Sequence, residues 1–175
     1  MSKIWICRGW KSILNVHERV LSASVETVGL LLDSTGSQND RLFGSDKWPP
    51  MILDHGLQPG SRGGHSLIRY RVSEHVPGRR VEFEFEPMTH LSKFAGRHYF
   101  EVVPRNGQVI LRHTIDVDTD FSTWIYWKIF IERIHDAVIE DSFDKAERNA
   151  GIPTPHRSRW SLYVRLLRWW RRRRK

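Results

Sequence analysis

The sequence predicts an α+β domain in which a curved antiparallel β-sheet wraps around one long C-terminal α-helix and encloses an apolar cavity. Three observations carry this. Between residues 65 and 117, apolar and polar side chains alternate with a period of two in successive runs separated by turn residues, the pattern of strands wet on one face and buried on the other. From Ser122 to Ala150 the period lengthens to near 3.6, with no Gly or Pro inside. A sheet with one dry face needs a cover, and that helix is the available one.

The elements follow in order. Ile13 to Leu21 reads as a first strand, with Leu14, Val16 and Val20 sharing a face. Ser24 offers an N-cap oxygen to a short helix through Val25, Val28, Leu31 and Leu32, and Glu26 suits the positive end of its dipole. Residues 34–45 are polar, with a helical turn expected around Arg41 and Leu42, before Trp48-Pro49-Pro50 fixes an extended stretch. Met51 to Asp54 is expected as an edge strand, and Pro59-Gly60 with Gly63-Gly64 as a turn. His65 to Val76 then presents Ile68, Tyr70 and Val72 on one face. After Pro77-Gly78, Val81, Phe83 and Phe85 alternate strictly with Glu82, Glu84 and Glu86. Phe94, His98, Phe100 and Val102 share a parity in the next strand. Beyond the turn at Arg105-Asn106-Gly107, so do Val109, Leu111, His113, Ile115 and Val117. The long helix carries an apolar stripe of Trp124, Trp127, Ile131, Ile134, Val138 and Phe143, and Gly151 and Pro153 end it.

At 175 residues the chain is sized for one domain of about 100–200 residues with an appendage. The expected division is an N-terminal extension at 1–11, a domain at 12–151 and a basic tail at 152–175. Nine of the 28 Lys and Arg residues, and no acid, lie from Arg157 to Lys175. The remaining 19 basic residues face 20 acidic ones, so the body carries about −1 and the formal charge of +8 belongs to the tail. A basic patch on the folded surface, as a nucleic-acid-binding domain would need, is therefore not expected. The single Cys7 excludes an intramolecular disulfide and a Cys-rich metal site, which suits a reducing cytoplasm. Neither a secretion signal nor a run of about 18 apolar residues is found.

Four stretches resemble one known superfamily: HERVLSASVETV from His17, DKWPPM from Asp46, PGSRGGHSLIRYRVSEHVPGRRVEFEF from Pro59, and HDAVIEDSFDKAE from His135. In this order, over roughly residues 12–150, the chain is similar to the START-like, or SRPBCC, superfamily, in its polyketide cyclase/dehydrase-like branch. The resemblance implies a helix-grip fold with a hydrophobic tunnel between sheet and helix. It implies no single reaction, since members range from lipid carriers to aromatase/cyclases. Gly29 departs from the pattern, where a Trp or other large residue is common, and is expected to enlarge or reshape the space beside the first helix.

Parity turns His98, His113 and Tyr70 inward with Phe83, Phe85 and Phe100. Helical spacing adds Trp127, Ile131 and His135. These nine residues are the expected ligand-binding set, because polar groups converging in an apolar pocket select ligands that pair them. The expected ligand is a hydrophobic small molecule or lipid. In an enzymatic version His98 or His113 would act as general acid/base, while each histidine satisfying a neighbouring group is the plainer alternative. No metal site or cofactor is expected, since HxH and HExxH spacings are absent. Arg69, Arg71, Arg79 and Arg80 are expected to form a ladder with Glu82, Glu84 and Glu86 on the wet face.

In the tail, Trp160, Tyr163, Val164, Leu167 and Trp170 recur at helical spacing while Arg165, Arg168 and Arg172 share another side. Three readings stay open: peripheral attachment to an anionic membrane through Trp160, Trp169, Trp170, Arg171 and Arg172, nonspecific nucleic-acid binding, or packing on the body. The first is preferred.

Overall fold

The computed structural model describes residues 11–44, 47–88, 93–153 and 157–172, with the side chains of Arg171 and Arg172 outside that set. The expected extension before Lys11, Asp46 of the DKWPPM stretch and residues 173–175 also lie outside it. Seven strands are followed by helices: β1 (Lys11–Leu21), β2 (Ile52–Leu53), β3 (Arg62–His65), β4 (Ile68–Val76), β5 (Arg80–Phe85), β6 (Ala95–Arg105) and β7 (Gln108–Thr119). Helix α1 (Val25–Leu32) follows β1. After β7, α2 (Phe121–Tyr126), a π-helical turn (Trp127–Ile131) and α3 (Glu132–Asn149) run on as one long helix, and α4 (Leu162–Arg172) lies in the tail. The sheet is antiparallel, unclosed and ordered β1-β7-β6-β5-β4-β3-β2. This is the helix-grip α+β architecture.

Short β-turns explain the order. Asn106, at φ 51°, and Gly107 turn β6 into β7, so the two strands pair from Arg105↔Gln108 to Ala95↔Asp118. Asp120 caps α2 by accepting from the Thr123 amide at 2.9 Å, and Ser24 caps α1 by accepting from that of Thr27 at 3.1 Å. Val28, Leu31 and Leu32 of α1 are fully buried with Val81, Phe83, Phe100, Leu111, Ile139 and Phe143.

The structure refines three local expectations. In β1 Leu14, Val16 and Val20 do share a face, and it is the exposed one, while Ile13 and Leu21 are buried with the polar row Asn15, His17 and Arg19 between them. The cause is the facing helix, which presents carboxylates there. The Gly63-Gly64 pair lies inside β3 because a Cβ at either position would meet a carbonyl oxygen, of Ile52 or Ile68, at 1.9 Å. The turn falls instead at Ser66-Leu67 and divides the expected strand from His65 in two. Gly29 does not enlarge the interior: a Cβ there would stand 2.8 Å from Gly78 Cα, so its lack of a side chain lets α1 press on the β4–β5 turn. Asp33 fastens the same approach, accepting from the Gly78 amide at 2.9 Å and lying 2.9 Å from His75 Nε2.

The wet face carries the expected ion pairs in part. Arg71 meets Glu84 at 2.7 Å and Arg80 meets Glu82 at 2.5 Å and also Glu101 at 2.6 Å, which was not expected, but Arg69 donates to the Ser66 and Ile68 carbonyls.

Candidate functional site

Between the sheet and the long helix lies a cavity of about 290 Å³. Phe85 and His98 enter from β5 and β6, His113 and Ile115 from β7, and Trp127, Ile131, Ile134, His135 and Val138 from the helix. The β3–β4 turn supplies His65 to Ile68, and the loop after α1 supplies Phe43, Trp48 and Pro49. The π-helical turn matters here. One extra residue in a turn advances the helix by about 100°, and Trp127 points inward, 3% exposed, while Ile129 and Phe130 stay outside.

Of the residues expected to meet a ligand, Phe85, His98, His113, Trp127, Ile131 and His135 line this cavity. Tyr70, Phe83 and Phe100 do not, since they are fully buried one layer behind it. There they hold the histidines: Phe83 stacks on His98 with centroids 4.9 Å apart, Tyr70 meets His98 edge-on at 4.9 Å, and Phe100 lies 4.5 Å from His113. Trp48, Phe94, His65 and Ile134 were missed as lining. The Trp before two prolines in an otherwise polar loop was the readable signal for Trp48.

The wall is apolar except for a small set of polar atoms. His98 Nε2, His113 Nδ1, Trp127 Nε1 and both ring nitrogens of His135 are buried with no hydrogen-bond partner among the described residues. His113 Nε2 and His98 Nδ1 face each other at 3.4 Å. Whichever donates, the pair then offers one N–H and one lone pair at its outer atoms. Burial, reinforced by the neighbouring imidazoles, holds His98 and His113 well below the usual histidine range. Burial also lowers His135, and pushes His65 down to about 4. The cavity therefore presents neutral imidazoles at neutral pH.

Behind His135, β1 and α3 meet through a polar seam. His17 Nδ1 lies 2.8 Å from Glu140 and its Nε2 lies 3.1 Å from Asp136 Oδ1, which also accepts from Asn15 Nδ2 at 3.1 Å. Arg19 bridges Glu140, Asp144 and Glu147 at 2.6, 3.2 and 3.1 Å. Burial alone would lower His17, but the hydrogen bonds and charge of Asp136 and Glu140 outweigh it and raise its pKa to about 9.

Solved structures of known proteins share the fold that holds this site. A solution NMR structure of a protein from Thermobifida fusca superposes with a TM-score of 0.63 at 17% identity, over 85% of this chain and 99% of that one. Norcoclaurine synthase from Thalictrum flavum, solved with dopamine and hydroxybenzaldehyde, gives 0.59 at 11% identity over 91% and 99%. The di-domain ARO/CYC StfQ of the steffimycin biosynthetic pathway gives 0.58 at 9% identity over 80% of this chain. The chain shares the helix-grip fold of these structures. It spans about half of StfQ, 51% of that chain. No protein-family model and no curated protein sequence matches it.

The tail folds back on the helix-grip body. Trp160 and Trp48 both donate their indole N–H to Asp141 Oδ2, at 2.9 and 2.7 Å, and Ser158 binds Asp144 through its amide and hydroxyl at 2.6 and 2.9 Å. The Arg168 guanidinium lies 4.5 and 4.8 Å from the Trp48 and Trp160 rings, and Val164 is 1% exposed. Trp160, expected at a membrane, is thus half-buried on α3. Leu162, Leu166, Trp169 and Trp170 remain exposed, whereas the side chains of Arg171 and Arg172 lie outside the described residues. No helix among the described residues is long and apolar enough to cross a membrane.

Proposed function

We propose that the protein binds a compact hydrophobic small molecule or lipid in the cavity between sheet and helix, and that its polar wall hydrogen-bonds a carbonyl or hydroxyl of that ligand. The observation that carries this reading is the set of unpartnered His98, His113, His135 and Trp127 nitrogens in an otherwise apolar wall. Leaving such groups unpaired costs ~1–3 kcal/mol each, so a ligand that pairs them is selected over one that does not. The volume, about 290 Å³, stands at the small end of the ~300–1,000 Å³ usual for ligand sites and favours one compact molecule. Mass spectrometry of an organic extract, beside the native mass of the intact protein, tests it. A stoichiometric apolar compound is the expected result. Unchanged affinity for that compound after His98→Leu and His113→Leu would remove the assignment of the polar wall.

Attachment to an anionic membrane surface belongs to the same reading. The exposed Leu162, Leu166, Trp169 and Trp170 of α4 stand beside Arg165 and the terminal basic run, and each basic residue near such a surface contributes ~1 kcal/mol. The full chain is expected to sediment with phosphatidylserine-containing vesicles and a chain ending at Pro155 is not. Equal sedimentation of the two sinks the membrane role. Retention of the full chain on single-stranded DNA with none on vesicles would favour nucleic acid.

A second reading, a cyclase- or dehydratase-type enzyme, rests on the contact between His98 and His113. With one N–H and one lone pair at its outer atoms, the pair is suited to take a proton at one end and deliver one at the other. Turnover of polyketide-like aromatic precursors that is lost in both histidine variants would favour it over simple carriage.

A further inference from the structure

Searching for metal motifs by spacing finds none in this chain, because the donors come from different elements. Strand β1 brings His17 and helix α3 brings His135 and Asp136, and their ligand atoms lie within 4.8 Å of one another. Donors about 2.0–2.1 Å from a tetrahedral zinc stand about 3.3 Å apart. Here His17 Nε2 is 3.1 Å from Asp136 Oδ1, and His135 Nδ1 is 3.7 Å from the same oxygen. Two of the three edges of such a site are therefore near the length a metal needs.

We propose that His17 Nε2, His135 Nδ1 and Asp136 Oδ1 form a binding site for a divalent transition-metal ion of the zinc type. Three further observations support it. The surroundings of the donors match what surrounds metal ligands elsewhere: Glu140 lies 2.8 Å from the other ring nitrogen of His17, and Asn15 donates to Asp136 at 3.1 Å. Carboxylates and amides in these places fix the tautomer and the orientation of the donors. The charge is right for a cation. Asp136, Glu140, Asp144 and Glu147 share Arg19 and His17 across the seam, four carboxylates to one guanidinium and one imidazole, and a metal would take the place of the proton on His17 Nε2. Finally, both His135 nitrogens and Asn15 Oδ1 are buried with no hydrogen-bond partner among the described residues, which an ion-pair seam complete in itself would not leave.

Three protein donors leave a position open on a four-coordinate ion. Because the His135 ring also lines the cavity, the ion would sit directly behind the wall that meets the ligand. The donor set is nitrogen-rich with one carboxylate, which suits zinc, cobalt or iron and not calcium or magnesium.

Zinc(II) and cobalt(II) are added separately to tag-free, chelator-treated full-length protein, with calorimetry for zinc and visible absorption for cobalt. One equivalent of each is expected to bind. His17→Gln and Asp136→Asn are each expected to weaken binding at least tenfold, whereas His55→Gln, on an exposed turn, leaves it unchanged. Magnesium in the same titration is expected to give no signal. Absence of saturable zinc binding by the wild-type chain, or unchanged affinity in both variants, overturns the site. Circular dichroism melts report whether the variants fold. Should His17→Gln fail to fold, Asp136→Asn keeps the shape of the side chain and decides alone. Failure of this site leaves the extraction experiment on the cavity untouched, so the two readings stand or fall separately.

Discussion

Trp48 and Trp160 meet at a single atom: both indole N–H groups are directed at Asp141 Oδ2, with the rings 5.5 Å apart. Asp141 is almost wholly buried, and Trp48 lines the cavity while Trp160 begins the tail. Asp141→Leu removes the shared acceptor and leaves two half-buried indole donors without it, a loss of ~1 kcal/mol for each. The body is expected to stay folded while the segment from Ser158 to Arg168 loses protection. Hydrogen exchange that is unchanged over this segment would show the clamp to be dispensable.

Stability is expected to peak near pH 6.5, for two opposed reasons. Half-buried His65, with its pKa pushed down to about 4, stays neutral in the folded state while the unfolded chain takes up a proton below about 6.5. Stability therefore falls as pH drops from about 6.5 towards 4, by at most about 3 kcal/mol from this residue at 1.36 kcal/mol per unit. His98 and His113, lowered in the same direction, add to the fall. His17 works the other way. Its pKa is raised to about 9, so its contribution is complete below about 6.5 and is lost as pH rises through 9. Thermal melts at intervals from pH 4 to 9 give the curve, and a monotonic rise across that range would contradict it.

Arg19 holds two of the most buried acids of the seam, Asp144 and Glu147, at 6% and 8% side-chain exposure. Arg19→Met removes the cation they share, and breaking a buried pair from one side costs about 3–5 kcal/mol, towards the lower end here because Ser158 still donates to Asp144. By contrast Val16→Thr, on the exposed row of the same strand, is expected to change stability by less than about 0.5 kcal/mol. Urea denaturation of the two variants side by side checks both values.

Gly29→Ala is expected to cost about 1–3 kcal/mol although alanine favours helices, because the new methyl meets the Gly78 backbone at 2.8 and 2.9 Å. A stabilised variant, by the same denaturation, would mean that α1 can step back from the turn without loss.

The fold was legible because its strongest elements announce themselves locally. The Val81 to Glu86 alternation, the turn at Asn106-Gly107 and the Gly-free helix each speak for one structure without reference to the rest. The inward turn of His98 and His113 followed from parity alone. The seam did not, because β1 in isolation puts Val16 and Val20 on one face and Asn15, His17 and Arg19 on the other without saying which face is covered. The missing signal lay about 120 residues away, in Asp136, Glu140, Asp144 and Glu147, which recur at helical spacing as a second stripe. Pairing a polar strand row with a charged helix stripe requires knowing that β1 crosses α3, which is a tertiary fact. Likewise the split of α2 from α3 by the π-helical turn has no glycine or proline to mark it.

The double role of Trp48 sets up a thermodynamic reciprocity. One indole is at once a wall of the cavity and half of the clamp on the tail. Any partner that draws Trp160 away from Asp141 changes the freedom of that wall, and so changes the affinity of whatever lies inside. The same factor must return in the opposite direction, from cavity occupant to tail. An occupied and an emptied protein would then differ in how readily they let go of their own C-terminal helix.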